Sequence, residues 1–266
     1  MTTTTPPLTA TRPRLAPLAP ELAFARRSVL RSVRNTEALL MAVVLPVMLM
    51  LLFVYVFGGA IDRGGDYVDY VVPGIILLCA GYGAASTAVD VADDMQSGVM
   101  DRFRTIPIRS SAVLTGHVVA SLLRNLLASA IVVGVALLVG FRPDAGPLEW
   151  LGTLGVVALW ILAITYLFAA IGAAAPNAEA ANGFGFILLF LPYLSSAFVP
   201  VDTMPEWLRG AAEHQPITPV IETIRGLLMG TELGAAPLLT VGWCTLILVV
   251  ALVWGGWVFR RKAARR

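Results

Sequence analysis

The sequence predicts an all-α fold that crosses a membrane about six times. Apolar residues fill 58% of 266 positions, charged residues only 14%, and the apolar residues gather into six long runs. A water-soluble domain averages about 25% charged residues. With a mean hydropathy of +0.80, the chain has more apolar surface than one core can enclose, and a bilayer accommodates it. The runs cover about 38–60, 71–92, 117–140, 150–175, 183–200 and 237–259. Each comes close to the ~20 residues that cross ~30 Å of hydrocarbon at ~1.5 Å per residue.

Residues 1–20, rich in Thr, Pro and Ala, cannot build a core and are expected to be a disordered tail. Residues 21–36 place Leu22, Ala25, Val29 and Val33 on one helical face and Arg26, Arg27, Arg31 and Arg34 on another. This suits an amphipathic helix in the headgroup region; a solvated basic leader is the alternative. The transmembrane domain is expected over 37–260, with a basic tail over 261–266. No cleavable signal peptide is expected, because the first apolar run starts near Ala38 and is too long for one.

Within the second run, Gly81, Gly83, Ser86 and Thr87 dilute the apolar character. Small residues of this kind fit close helix packing better than lipid contact. The fifth run is short and holds Pro192, which predicts a kink. Cys79 and Cys244 lie inside apolar runs without metal-type spacing and read as small packing residues.

Orientation follows from charge. The N-terminal segment, the 93–116 link and the C-terminal tail together carry fourteen Lys or Arg, whereas the alternate links carry only Arg63, Arg142, Arg209 and Arg225. The positive-inside rule therefore places both termini in the cytoplasm, which requires an even number of crossings.

Several chemistries are excluded. The one lysine, Lys262, follows Arg261, so there is no Walker A motif. Two histidines, His117 and His214, cannot form HExxH. No catalytic, cofactor-binding or metal-ligating residues are expected, and a membrane-embedded hydrolase lacks its nucleophile and base.

Charges inside lipid are costly and kept for function. Asp90 and Arg124 are the isolated charges of the spans, and they either pair across the second and third spans or snorkel independently. The 93–116 link combines Met100, Phe103 and Ile106 with Asp101, Arg102 and Arg104. Pro107 ends a short amphipathic helix there, and Ser110 or Ser111 caps the next one. Either this element presses an apolar knob into a partner or it is an ordinary connection. The 201–236 link is longer than a connection needs. Pro205 opens a helix that carries Trp207 and reaches His214, and after Pro216 a second one carries Glu222 and Arg225, three apart and able to pair. These two helices form either a re-entrant hairpin or a cap on the headgroups.

A set of features in this order resembles the permease subunits of ABC-2 type exporters, especially the daunorubicin-resistance permease group. The residues that carry the resemblance are Asp93-Asp94 with Gly98, DRFRTIPIRSSAVLTGH over 101–117, Arg124-Asn125, and VPVDTMPEWLRGAAEHQPITPVIETIRGLL over 199–228. It covers roughly 20–260. Where many relatives have a Glu-x-Gly-Thr element, this chain has Gln96, Ser97, Gly98 and Val99.

The resemblance implies efflux of a lipophilic drug, antibiotic or lipid across a bacterial cell membrane. A polysaccharide or lipid-linked glycan exporter is the nearest alternative, and a non-transporting scaffold or immunity protein is another. It also implies that ATP and Mg bind a separate P-loop ATPase chain, and that a second permease copy or a sister permease completes the transporter. Membrane lipids and the substrate are then the remaining partners; nucleic acid is not one. By the same resemblance 21–36 is a connecting helix, 93–116 a coupling helix and 201–236 a cap over the pathway.

The charge split generates a direct test. Single cysteines at positions 63 and 142 are expected to react with a membrane-impermeant thiol reagent added outside intact cells. One at position 109 is expected to react only after the membrane is opened; labelling of 109 from outside overturns the topology.

Overall fold

The computed structural model describes residues 36–61, 67–96 and 110–264. Among the described residues, helices and turns account for all the regular structure, and there is no strand. α1 spans Thr36–Leu52 and continues through a π-helical turn, Phe53–Phe57, to Ile61. α2 is Tyr67–Gln96, α3 Ser110–Val139, α4 Pro147–Ala174 and α5 Ala178–Leu188. Two 3-10 turns follow, at Leu191–Leu194 and Val201–Thr203, then α6 at Glu206–His214, α7 at Ile217–Met229 and α8 at Ala236–Ala264. The predicted tail and interfacial helix over 1–35 lie outside the described residues.

Local chemistry sets these boundaries. α4 starts with Pro147 in its first turn, where a missing N–H costs nothing, and Glu149 favours that positive end. α5 starts where the Asn177 side chain accepts the Ala180 N–H at 2.7 Å. α7 ends at Gly230, whose φ of 67° is the left-handed conformation glycine adopts without strain.

Five helices among the described residues are long and apolar enough to cross a membrane: Ala42–Ile61, Tyr67–Gln96, Val118–Val139, Pro147–Ala174 and Ala236–Val258. The protein is thus a multi-pass membrane protein. A single helix over 183–200 does not form. The fifth run gives the 11 residues of α5, about 17 Å of helix, and then a 3-10 turn that contains Pro192. Proline has no N–H to continue the ladder. At the expected kink the segment tightens from α to 3-10 geometry around Pro192, and the chain turns extended only at Ser195.

The segment nevertheless runs the full length of α2, antiparallel to it. At one end the Gln96 side chain donates to the Pro176 carbonyl at 2.8 Å. Further along, Gly185 faces Ala85, Leu189 faces Gly81 and Ala197 faces Gly74. At the other end Tyr70 Oη donates to Ser196 O at 2.9 Å and Tyr67 Oη to Phe198 O at 2.8 Å. Residues 176–198 thus cover the same ~45 Å as the 30-residue α2.

α2 is the centre of the molecule. In its most apolar stretch 72% of residues are buried, against 17% in α1 and in α8, which lie at the periphery. Val71, Val72, Ile75, Leu78, Cys79 and Ala80 lose all exposure. Both cysteines are buried and free, as their apolar surroundings predict.

Glycines let neighbouring helices approach at backbone distance. A Cβ on Gly172 of α4 would lie 2.2 Å from the Ala88 carbonyl oxygen of α2. A Gly172→Ala substitution is therefore expected to cost about 1–3 kcal/mol through overpacking. Gly134 of α3 faces open space, so Gly134→Ala is expected to leave thermal unfolding in detergent unchanged or slightly raised. Equal melting temperatures for the two variants would remove the close α2–α4 contact from the account.

Candidate functional site

Two polar sites stand out in the otherwise apolar bundle. The first lies near the middle of α2, where α3 crosses it. Arg124 of α3 is 9% exposed, and its Nη2 donates to Gly83 O at 3.0 Å, Ser86 Oγ at 2.6 Å and Thr87 Oγ1 at 3.4 Å. Thr87 Oγ1 also donates to Ser121 Oγ at 2.9 Å, and Asn125 Nδ2 donates to Ser121 Oγ at 3.2 Å. The Asn125 side-chain oxygen occupies the place a Cβ on Gly83 would take. Gly83, Ser86 and Thr87 thus present small or hydroxylic groups to one guanidinium and one amide. Asp90 lies one turn beyond Thr87 on α2, and its charge acts on Arg124.

Serine and threonine can bond their own helix carbonyls, and Ser86 Oγ does so with Gly83 O at 2.8 Å. Arg124 reaches this cluster because α3 begins at Ser110, which puts the arginine about four turns into the helix rather than two.

The second site is at the Tyr67 end of α2. Arg225 of α7 donates through Nη2 to Tyr70 O at 3.0 Å and to Ser196 O at 2.8 Å. Its guanidinium carbon lies 3.9 Å from the centre of the Tyr70 ring, within cation–π reach. Arg225, Tyr70 and Tyr67 therefore fix the 196–198 turn against both α2 and α7. Arg225 is directed inward while Glu222 is exposed; Glu222 acts on it as a nearby charge. Thr223 Oγ1 lies 3.0 Å from Thr240 Oγ1, which ties α7 to α8.

The two helices of the 201–236 segment begin where the prolines predict. Pro205 and Pro216 stand immediately before α6 and α7. α7 is largely buried, whereas α6 buries only Ala212 and leaves Trp207 81% exposed. His214 Nδ1 lies 2.9 Å from Gly210 O, within its own helix, so the histidine contributes nothing to either polar site. Arg209 donates to Asp202 O at 2.6 Å and holds the start of α6 to the preceding turn. Beside the second site lies a cleft of about 430 Å³, lined by Ile61, Tyr67, Tyr70, Val199, Pro200 and Thr203.

Met100, Asp101, Arg102, Phe103, Arg104, Ile106 and Pro107 lie outside the described residues. Among the described residues no group of His, Cys, Asp and Glu is placed to hold a metal ion. Sequence reasoning singled out Arg124, Asn125 and Arg225 but not Ser121, Ser196 or the Phe198 carbonyl. For the second site the sequence offered Arg225, read there as a partner of Glu222, whereas its acceptors, the Tyr70 and Ser196 carbonyls, leave no sequence signal.

The fold is thus a membrane-spanning helical bundle around one buried helix rich in small residues, with an arginine-centred polar cluster near its mid-length. The chain belongs to the ABC-2 type transporter family, whose pattern matches residues 22–229. It is 33% identical over 191 residues to the daunorubicin resistance ABC transporter permease protein of Streptomyces coeruleorubidus, covering 71% of this chain and 68% of the relative. It is 24% identical over 238 residues to the "probable doxorubicin resistance ABC transporter permease protein" of Mycobacterium tuberculosis, covering 89% and 86% of the two chains.

The mid-length clamp generates a test of the Asp90–Arg124 relation. Asp90→Asn, Arg124→Gln and the double variant are expected to give non-additive losses of thermal stability in detergent, with a coupling of about 0.5–3 kcal/mol. Strict additivity would show that Arg124 acts only through Gly83, Ser86 and Thr87.

Proposed function

We propose that this chain is the membrane permease of an ATP-driven exporter that carries a lipophilic drug, antibiotic or lipid out of a bacterial cell. ATP and Mg bind a separate P-loop ATPase subunit, and a second permease, identical or sister, completes the pathway. Both termini and the 93–116 link lie in the cytoplasm, so the Gln96 end of α2 is cytoplasmic and the Tyr67 end external. Residues 176–198 supply the sixth crossing that this orientation requires.

The observation that carries this reading is the polar clamp between α2 and α3. These are the two helices that flank the 97–109 link, and α2 is also the buried centre of the bundle. A chain without a P-loop receives work from a partner through contact. A soluble ATPase reaches only the cytoplasmic face. The 176–182 stretch there carries no Lys or Arg and is too short to receive it. A push on the 97–109 link moves α2 and α3 together, because Arg124 and Asn125 fasten one to the other at mid-length. The displacement reaches Tyr70 and the 196–198 turn at the external end.

Phe103 and Ile106 are the apolar knob in this reading, with Met100 and Pro107 beside them and Asp101, Arg102 and Arg104 as the polar rim. Interface centres favour buried apolar anchors and rims favour charge. Co-purification is expected to recover a P-loop ATPase with the chain. Phe103→Ala combined with Ile106→Ala is expected to lower transport at least about tenfold, with normal insertion and ATP hydrolysis by the partner retained. Full transport by that double variant would sink the coupling role.

A further inference from the structure

The C-terminal half of α8 carries two different surfaces. Its inner face is Ala251, Gly255 and Val258, all buried. A Cβ on Gly255 would lie 3.2 Å from the Ala170 Cβ of α4. Val258 belongs to one apolar cluster with Ala169 and Ala173 of α4 and Val91 of α2, and Met95 packs against it. The end of α2 that leads into the 97–109 link is thus braced by the end of α8.

A second face points away from the bundle. Leu246, Val250, Val253 and Trp257 are all exposed, and their spacings of four, three and four make one stripe along a helix of 3.6 residues per turn. Arg261 continues the stripe one turn on. Its guanidinium carbon lies 3.9 Å from the centre of the Trp257 ring. The side chain therefore runs back along the helix toward the apolar stripe, as long helical side chains do. Stacking occupies one face of the guanidinium and leaves its in-plane N–H groups able to donate. Arg261 is exposed, and no hydrogen bond joins it to a described residue. The charge here has one sign: Arg260, Arg261, Lys262, Arg265 and Arg266 face no Asp or Glu anywhere from Ala236 onward in the sequence. Trp257 lies about 31 Å along α8 from Ala236, close to the ~30 Å of hydrocarbon. The Trp257–Arg261 turn therefore reaches headgroup level while Leu246, Val250 and Val253 lie beside acyl chains.

We propose that this stripe binds one anionic phospholipid of the bilayer. An acyl chain lies along Leu246, Val250 and Val253, and the phosphate accepts hydrogen bonds from the Arg261 guanidinium held on Trp257. A planar guanidinium fork matches a phosphate through two parallel N–H bonds. The uncompensated basic residues around it draw a headgroup of net negative charge rather than a zwitterionic one. Bound lipid steadies the end of α8, and through Val258 it steadies the end of α2 next to the 97–109 link. The lipid is thus a regulator of the helix that the proposed coupling moves. That consequence rests on the exporter reading; the binding itself does not.

The test titrates the purified full-length chain in detergent with phosphatidylglycerol or with phosphatidylcholine of the same acyl chains, and counts bound lipid by native mass spectrometry. Wild type is expected to reach half-occupancy at about tenfold less phosphatidylglycerol than phosphatidylcholine, and to melt at a higher temperature with it bound. Arg261→Lys keeps the charge but loses the planar fork, and Trp257→Leu keeps the charge but removes the ring beneath it. Each is expected to raise the phosphatidylglycerol concentration for half-occupancy about fivefold. Trp254→Leu removes an exposed ring that does not carry Arg261 and is the control expected to bind normally. Equal affinity for the two lipids overturns the site, and so does wild-type binding by either Arg261→Lys or Trp257→Leu, because diffuse attraction depends on charge alone. Displacement of the lipid by inorganic phosphate at the same concentration overturns the assignment to a lipid. A changed oligomeric state in Trp257→Leu with unchanged lipid binding gives the stripe to a second copy of the chain instead. None of these measurements uses transport or an ATPase, so a failed site leaves the exporter reading standing. A chain that binds the lipid but recovers no ATPase overturns that reading and leaves the site in place.

Discussion

The architecture depends on how closely other helices approach α2. Helices in a bilayer gain nothing from leaving water, because lipid tails are as apolar as leucine, so van der Waals contact and hydrogen bonds must hold them together. α2 meets this demand with small residues. Gly74, Gly81 and Gly83 receive Ala197, Leu189 and Asn125, and Ala88 receives Gly172 of α4. Each contact sets α2 backbone directly against a neighbouring residue. The peripheral helices α1 and α8 are organised in the opposite sense and leave large apolar residues exposed, as lipid-facing surfaces do.

Both arginines use the same helix. Arg124 donates to the Gly83 carbonyl and Arg225 to the Tyr70 carbonyl. A carbonyl oxygen has two lone pairs, so a helix can accept from outside. Hydrogen bonds to charged groups contribute about 1.5–3 kcal/mol each. Desolvating a guanidinium costs several kcal/mol, so neither site is explained by stability alone. Their placement is the informative feature. One arginine joins α2 to α3 near mid-length; the other joins it to α7 and the 196–198 turn at one end.

How much of this the sequence revealed depends on whether the partner had a side-chain signature. The glycines and hydroxyls of 81–87 were readable as a packing face, because their dilution of an apolar run has no other economical cause. The two helices after Pro205 were readable from proline and Gly230, which act locally. The length of α5 was not: 183–200 reads as one apolar run, yet Asn177 caps a helix that starts earlier, and that helix tightens to 3-10 geometry before the chain turns extended at Ser195. Arg225 was matched with Glu222 by helical spacing. The structure sends its guanidinium to two carbonyls instead, and carbonyls leave no trace in sequence. The same holds for the Phe198 carbonyl that receives Tyr67.

The course of the chain after α5 follows from these constraints. A helix continued past Leu194 along α2 would engage the Ser196 and Phe198 carbonyls in its own ladder, so Tyr67 and Tyr70 would have to compete for them, while Arg225 would keep only the Tyr70 carbonyl. By leaving the helix at Ser195, the chain keeps the Ser196 and Phe198 carbonyls out of a helical ladder. Three donors from two helices then meet there. Irregular backbone at membrane depth is tolerated only where protein covers it; here Ser195, Ser196, Ala197 and Phe198 are all buried. A joint made this way is firm while all its bonds hold. It also depends on the position of one helix, α2, because that helix supplies two of the three donor residues. Movement of α2 along its axis would therefore loosen the joint as a unit.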